Sequence, residues 1–159
     1  MRINSVDSPF WRDDLAAIAP LKLDAIVLPK VIGPSDIAAV ANAMQQNGFP
    51  ASTRLWAMIE TPRAVLDIAM IAACAEQPGN PLSLFILGTN DIARETRARM
   101  VRGRGPMLSW ISQCVLAARA YGLAILDSVY NDIKDIEGFR AECEQGRDLG
   151  MDGKTLIHP

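Results

Sequence analysis

The sequence predicts an α/β chain: an incomplete (β/α)8 barrel in which residues 1–159 form a single partial domain. Three observations carry that expectation. Apolar runs stopped by Gly, Pro or Asn-Asp alternate with segments of helical periodicity. The alternation repeats roughly every 30 residues, the length of one βαβ unit. An ionisable residue also stands at or beside every predicted strand end, namely Arg2, Lys30, Glu60, Asp91, Asp127 and His158. An open doubly wound sheet needs such residues only at its switch point, whereas a barrel brings all its strand ends round one mouth.

The elements follow in order. Met1 to Ser5 reads as a short first strand, Asp7 to Asp14 as a loop carrying Pro9, Phe10 and Trp11, and Asp13 to Ile18 as a short helix. Asp24 to Lys30 is the second strand, closed by Pro29. Gly33-Pro34-Ser35-Asp36 opens a helix, with Ser35 as its cap and Asp36 complementing its dipole. Ile37, Val40, Ala41 and Met44 keep helical spacing, and Gly48 ends the element.

Leu55 to Glu60 is the third strand, and Thr61-Pro62 supplies the N-cap and first residue of the next helix. Val65, Ile68, Ala69 and Ala72 would line its buried face before Pro78-Gly79-Asn80-Pro81 breaks it. Leu82 to Leu87, apolar except for Ser83, reads as a fourth strand buried on both faces and stopped by Gly88-Thr89-Asn90-Asp91. Pro106 to Tyr121 is predicted helical with Ile111, Val115 and Ala118 inward, and Gly122 to Asp127 is the fifth strand. Asp135 to Leu149 is a helix ended by Gly150, and Gly153 to Ile157 is a last strand. Both chain ends fall inside predicted strands. The expectation is therefore a piece of a larger fold, because bare strand edges need covering.

Half of the residues are hydrophobic and the formal net charge is -2. That composition supports a real core and gives no electrostatic footprint for nucleic acid. Cys74, Cys114 and Cys143 are an odd, scattered set without CxxC spacing, read as reduced thiols of a cytosolic protein. No secretory signal or apolar span of about 18 residues argues for export or a membrane.

Glu60 and Asp91 end neighbouring strands, so their carboxylates can converge. Two carboxylates with open positions suit Mg²⁺, which keeps waters and takes oxygen ligands from substrate. The competing reading has each acid capping a helix or pairing with Arg63 or Arg94. Arg2 at a barrel mouth can bind a carboxylate or developing oxyanion, against the plain alternative of a disordered terminal residue. Lys30 stands as phosphate partner, Schiff-base nucleophile or surface charge. His158, the only histidine and placed before a proline, stays outside the metal site. Arg94, Arg97, Arg99, Arg102 and Arg104 form either a solvated face or a contact for a phosphorylated substrate. Gly103 to Pro106 is too short for a nucleotide-type phosphate loop.

With those residues in place, the chain resembles the citrate lyase β-subunit and malyl-CoA lyase group of the HpcH/HpaI aldolase superfamily. The matching pieces run in that family's order: RIN, DAIVLPK, AMIETP, LGTNDIA, AARAYGL with LDSVY, and LGMDGKTLIHP. The resemblance implies a Mg²⁺-dependent TIM barrel of the phosphoenolpyruvate/pyruvate type, with roughly strands 3 to 8 present. It implies a trimeric or hexameric homo-oligomer that makes or breaks a C–C bond beside an acyl-CoA thioester, with a small oxo-acid as second substrate. By the same resemblance Glu60 and Asp91 hold the metal and Arg2 contacts the oxo-acid and stabilises the enolate. The backbone N–H groups of Gly88, Thr89 and Asn90 hold a substrate carboxylate, and Lys30 joins the substrate site. Arginines of the basic run meet CoA phosphates.

The sequence departs from that pattern at both ends. The FVPG-like and DLED-like strands are missing before Arg2, and so is the segment after Ile157-His158-Pro159 that carries a lid with an acidic residue. The leading expectation is a C–C lyase acting on a malyl-, citramalyl-, methylmalyl- or citryl-type CoA. The alternatives are a non-catalytic remnant that binds a partner, a CoA-thioesterase of the same family, and a receiver-like doubly wound domain.

Overall fold

Short apolar runs bounded by turn residues become five strands in the computed structural model, which describes residues 1–157. They are β1 (Ala25–Leu28), β2 (Arg54–Ile59), β3 (Leu82–Leu87), β4 (Ala124–Asp127) and β5 (Gly153–Lys154). All pair in parallel, in the order β1-β2-β3-β4-β5. No strand order reverses, so the sheet has no switch point. This is the sequential winding of a barrel wall.

The two faces of the sheet are unequal. Ile26, Leu28, Leu55, Ala57, Ile59, Phe85, Leu87 and Ile125 are buried on one face and join the main hydrophobic core. The helices contribute Ile37, Val40, Ile68, Ile71, Ile111 and Ala118 to the same core. Across the register, Val27, Trp56, Leu84 and Ala124 occupy the other face, followed by Met58, Ile86 and Leu126. None of these seven belongs to that core. Helices therefore layer one face, and the second is the concave interior of a partial barrel. A doubly wound sheet would be covered on both.

The helices are α1 (Trp11–Ile18), α2 (Pro34–Gln46), α3 (Pro62–Leu66), α4 (Ile68–Ala73), α5 (Thr89–Thr96), α6 (Leu108–Ala120) and α7 (Ile136–Asp148). Thr61 caps α3 as expected, its Oγ1 accepting from Ala64 N–H at 3.0 Å. Several expectations change. Met1 to Ser5 is not a strand but a single parallel bridge, Arg2 to Val27, with Ile3 N–H on the Val27 carbonyl at 3.1 Å. That bridge and the bond from the terminal ammonium to the Ala25 carbonyl fix the backbone around Arg2. Gly33, not Ser35, is the N-cap of α2, and Ala43 rather than Ala41 is buried.

The single helix expected after Thr61 breaks at Asp67 into α3 and α4; Ala69 faces out and Ile71 takes its place in the core. A 3₁₀ segment, Arg102–Met107, precedes α6 where Pro106 was expected to start it. The last strand shrinks from the predicted Gly153–Ile157 to Gly153–Lys154. His158 lies outside the described residues.

The basic run also divides. Arg104 is not solvated: it is 3% exposed. Its Nη1 donates to both Asp127 oxygens at 2.7 and 2.8 Å, and its Nε donates to Gln145. Lys154 bonds Asp127 at 3.1 Å and Glu142 at 2.6 Å. Two cations and two carboxylates thus neutralise each other between β4, β5 and α7. Asp127 belongs to the helix side of the sheet, which removes it from the mouth residues.

Breaking a buried ion network leaves an uncompensated charge, at a cost of about 3–5 kcal/mol. Urea denaturation of Asp127→Asn is expected to show a loss of that order, because Arg104 and Lys154 then share only Glu142.

Candidate functional site

Strand parity builds the site. Side chains alternate faces along a strand, so Glu60 continues the concave series Trp56, Met58. Gly88 continues Leu84, Ile86, and Ser128 continues Ala124, Leu126. The three form a row across the C-terminal ends of β2, β3 and β4. Gly88 donates its N–H to the Ile59 carbonyl at 2.8 Å, extending the ladder one residue past β3. A Cβ at Gly88 would collide with Glu60 Cβ and lie 3.0 Å from its Oε2. The absence of a side chain at Gly88 is what lets Glu60 lie across the next strand.

Glu60 is 6% exposed, and its Oε1 accepts the Lys30 N–H at 2.7 Å. Lys30 reaches that bond from a left-handed backbone, φ 52°. Its side chain is exposed, so the desolvated setting of a Schiff-base lysine is not there. Burial pushes the Glu60 carboxyl above the ordinary glutamate range, the Lys30 N–H draws it back, and the Asp91 charge pushes it up again. Arg2 and the Lys30 ammonium act on it in the opposite sense to Asp91. Glu60, Asp91, Arg2 and Lys30 therefore share one electrostatic neighbourhood.

Asp91 sits in the first turn of α5, not on the strand itself, and accepts from Arg94 at 2.6 Å through Oδ1. The Arg94 pairing raised from the sequence is thus present, on one oxygen only. Among the described residues, neither Glu60 Oε2 nor Asp91 Oδ2 has a hydrogen-bond partner. No side chain caps α5. Gly88's amide is spent on β2, so the donors left at the helix N-terminus are Thr89, Asn90 and Asp91. Of the expected set Gly88 to Asn90, the Gly88 amide is thus already bonded, to the Ile59 carbonyl. Such a row, at the positive end of a helix dipole, binds carboxylate or phosphate oxygens.

This donor set fits a hard divalent cation. Each of two carboxylates offers one uncommitted oxygen, and one of them is buried with its charge opposed. Among the described residues no group of three or more His, Cys, Asp or Glu gathers. Open positions filled by water and substrate are the habit of Mg²⁺ rather than of a closed zinc site.

The chain matches the HpcH/HpaI aldolase/citrate lyase family over residues 1–159. It belongs to that family. It is 48% identical over its whole length to a (3S)-malyl-CoA thioesterase of Cereibacter sphaeroides, of which it covers 52%. The crystal structure of RipC from Yersinia pestis superposes with a TM-score of 0.86 at 28% identity, over 99% of this chain and 70% of that one. A citrate lyase β subunit from M. tuberculosis, complexed with oxaloacetate and magnesium, gives 0.80 at 26% identity, over 99% and 66%. The chain spans about half the length of the curated relatives it matches.

Sequence reasoning missed Ser128, Asn131 and the Thr89 hydroxyl. Thr89 Oγ1 and Ser128 Oγ lie 2.7 Å apart in the interior. Asn90 and Asn131 exchange side-chain amide bonds at 2.8 and 2.9 Å. The available signal was parity, since Ser128 lies one residue past Asp127 and so on the opposite face.

Two predictions follow from this geometry. The raised Glu60 value means that its neutral form favours the fold: the contribution is complete below the ordinary value of 4.5 and is lost as pH rises through the folded value. In metal-free buffer Glu60→Gln is therefore expected to melt higher than the parent at pH 7, with the advantage vanishing below pH 4.5. Gly88→Ala overfills the row and is expected to cost about 1–3 kcal/mol in chemical denaturation, together with Mn²⁺ affinity measured by paramagnetic resonance.

Proposed function

We propose that this chain carries the metal-and-carboxylate end of a Mg²⁺-dependent acyl-CoA enzyme that hydrolyses a malyl-type CoA thioester. The observation that carries the reading is that the charges of Asp91 and Arg2 act on the buried Glu60 carboxyl, with Asp91 in the first turn of a helix that no side chain caps. The 48% identity to a (3S)-malyl-CoA thioesterase supports hydrolysis over the carbon–carbon cleavage expected from sequence. The lyase remains the second reading, supported by the likeness to the citrate lyase β subunit complexed with oxaloacetate and magnesium.

Glu60 Oε2 and Asp91 Oδ2 would hold the ion, which when bound supplies Lewis-acid polarisation of a substrate carbonyl. The amides of Thr89, Asn90 and Asp91 receive the malyl carboxylate. Arg2 stabilises the oxygen that gains charge as water adds to the thioester carbon. The new C–O bond replaces the C–S bond, and the CoA sulfur leaves as a thiol after taking a proton derived from the water. Lys30 holds Glu60 in place through its backbone while its ammonium adds positive potential at the mouth. Assembly as a homo-oligomer is supported by apolar side chains on the outer helices, Leu66 and Met70 on α3 and α4 and Leu116 on α6, all strongly exposed. Among the described residues no helix is long and apolar enough to cross a membrane, and Cys74, Cys114 and Cys143 are free. A cytoplasmic setting is part of the same proposal.

Incubation of the chain with Mg²⁺ and (3S)-malyl-CoA separates the readings. Free thiol without glyoxylate is the expected result, and glyoxylate with acetyl-CoA would establish the lyase. Neither product would refute activity for this chain. Arg2→Gln is expected to lower the rate by about 10²–10³-fold, the worth of an oxyanion donor, and chelation of Mg²⁺ to abolish it.

A further inference from the structure

The backbone ladder between β3 and β4 ends at Ile86 and Leu126. The chain nevertheless keeps the two strand ends together beyond that point, through side chains. Thr89, first residue of α5, meets Ser128 at 2.7 Å with both hydroxyls buried. One residue further along α5, Asn90 and Asn131 form a reciprocal amide pair. Each partner on the β4 side follows Asp127, whose Oδ1 accepts the Ser128 N–H at 2.8 Å while gripped by Arg104 and Lys154. The anchor of this connection is thus the neutralised ion network on the helix side of the sheet.

On the opposite side, α5 is tied to β2 by the Gly88 amide on the Ile59 carbonyl. The first turn of α5 is held from both neighbours, and none of its own amides is used in the holding. A side-chain cap at Gly88's position, the ordinary way to fix a helix start, would have consumed one of those amides.

We infer that Ser128 and Asn131 are positioning residues: they aim the first turn of α5, and with it the Thr89–Asp91 amides and the Asp91 carboxylate, at the point faced by Glu60. The inference rests on the proposed metal-and-carboxylate site and adds to it the part played by the loop after β4. Both residues act through α5, in the way that outer partners of metal ligands set ligand direction.

The test uses the whole chain, in the parent, in Ser128→Ala/Asn131→Ala, in Asn131→Ala alone should the double variant fail to fold, and in Ser128→Thr, which keeps the hydroxyl. Mn²⁺ affinity is read by paramagnetic resonance, and amide exchange along α5 and β3 by NMR. The double variant is expected to bind Mn²⁺ about 10–100-fold more weakly. Faster exchange should be confined to Ile92 to Glu95, the first amides of α5 that are bonded, beginning with Ile92 on the Gly88 carbonyl, and Ser128→Thr should restore both properties. Unchanged exchange at Ile92 to Glu95 would overturn the inference, as would loss of protection spread evenly over β3 and β4. A parent that takes up no Mn²⁺ would sink the metal site itself, and the exchange pattern would then decide the positioning role alone.

Discussion

The site depends on one close approach, that of Glu60 to the bare backbone of Gly88. A carboxylate that leaves water loses solvation energy, and it stays ionised only where donors or cations replace that water. Here a single amide, from Lys30, meets one oxygen, and the space above Gly88 keeps the other facing the mouth. The charges of Asp91 and Arg2 both act on that carboxyl. Arg2 arrives through its bridge to β1, and Asp91 arrives on a helix whose first residue follows Gly88 directly.

The sheet separates two kinds of electrostatics. On its helix side, Asp127, Arg104, Lys154 and Glu142 pair with one another. On its concave side, Glu60 and Asp91 carry like charge, and each keeps one carboxylate oxygen without a hydrogen-bond partner among the described residues. Balanced charge serves structure, whereas unbalanced charge in a sheltered place awaits a counter-ion. A two-layer architecture makes the division possible, because a strand can present one acid to each face.

Much of this was legible in the residues. Gly88-Thr89-Asn90-Asp91 announced a strand end but not that α5 begins there, Thr61-Pro62 announced the cap of α3, and the ionisable residues at successive strand ends pointed to a mouth rather than a crevice. Less visible were features set by contacts distant in sequence. Arg104 looks like one arginine among five until α7 and β4 close over it. Asp127 looked like a mouth acid because strand-end position was read without parity. The break at Asp67 and the shortening of the last strand are likewise local outcomes of packing that propensity does not encode. Ser128 carries no signature as a residue type, and parity past Asp127 is the one feature of the sequence that places it on the concave face.

The pairing of Asp127 with Ser128 has a consequence for how this chain can change over time. Consecutive residues point to opposite faces, one into the ion network and the other into the row beside Gly88. A slip of β4 by a single residue would therefore put a carboxylate into the mouth and a hydroxyl among two cations, two errors from one event. The strand end behaves as a parity check on its own alignment. Insertions and deletions should accumulate in the connections that precede β4, such as the turn at Tyr121 and Gly122. The run from Ala124 to Ser128 should keep its length while its apolar side chains vary.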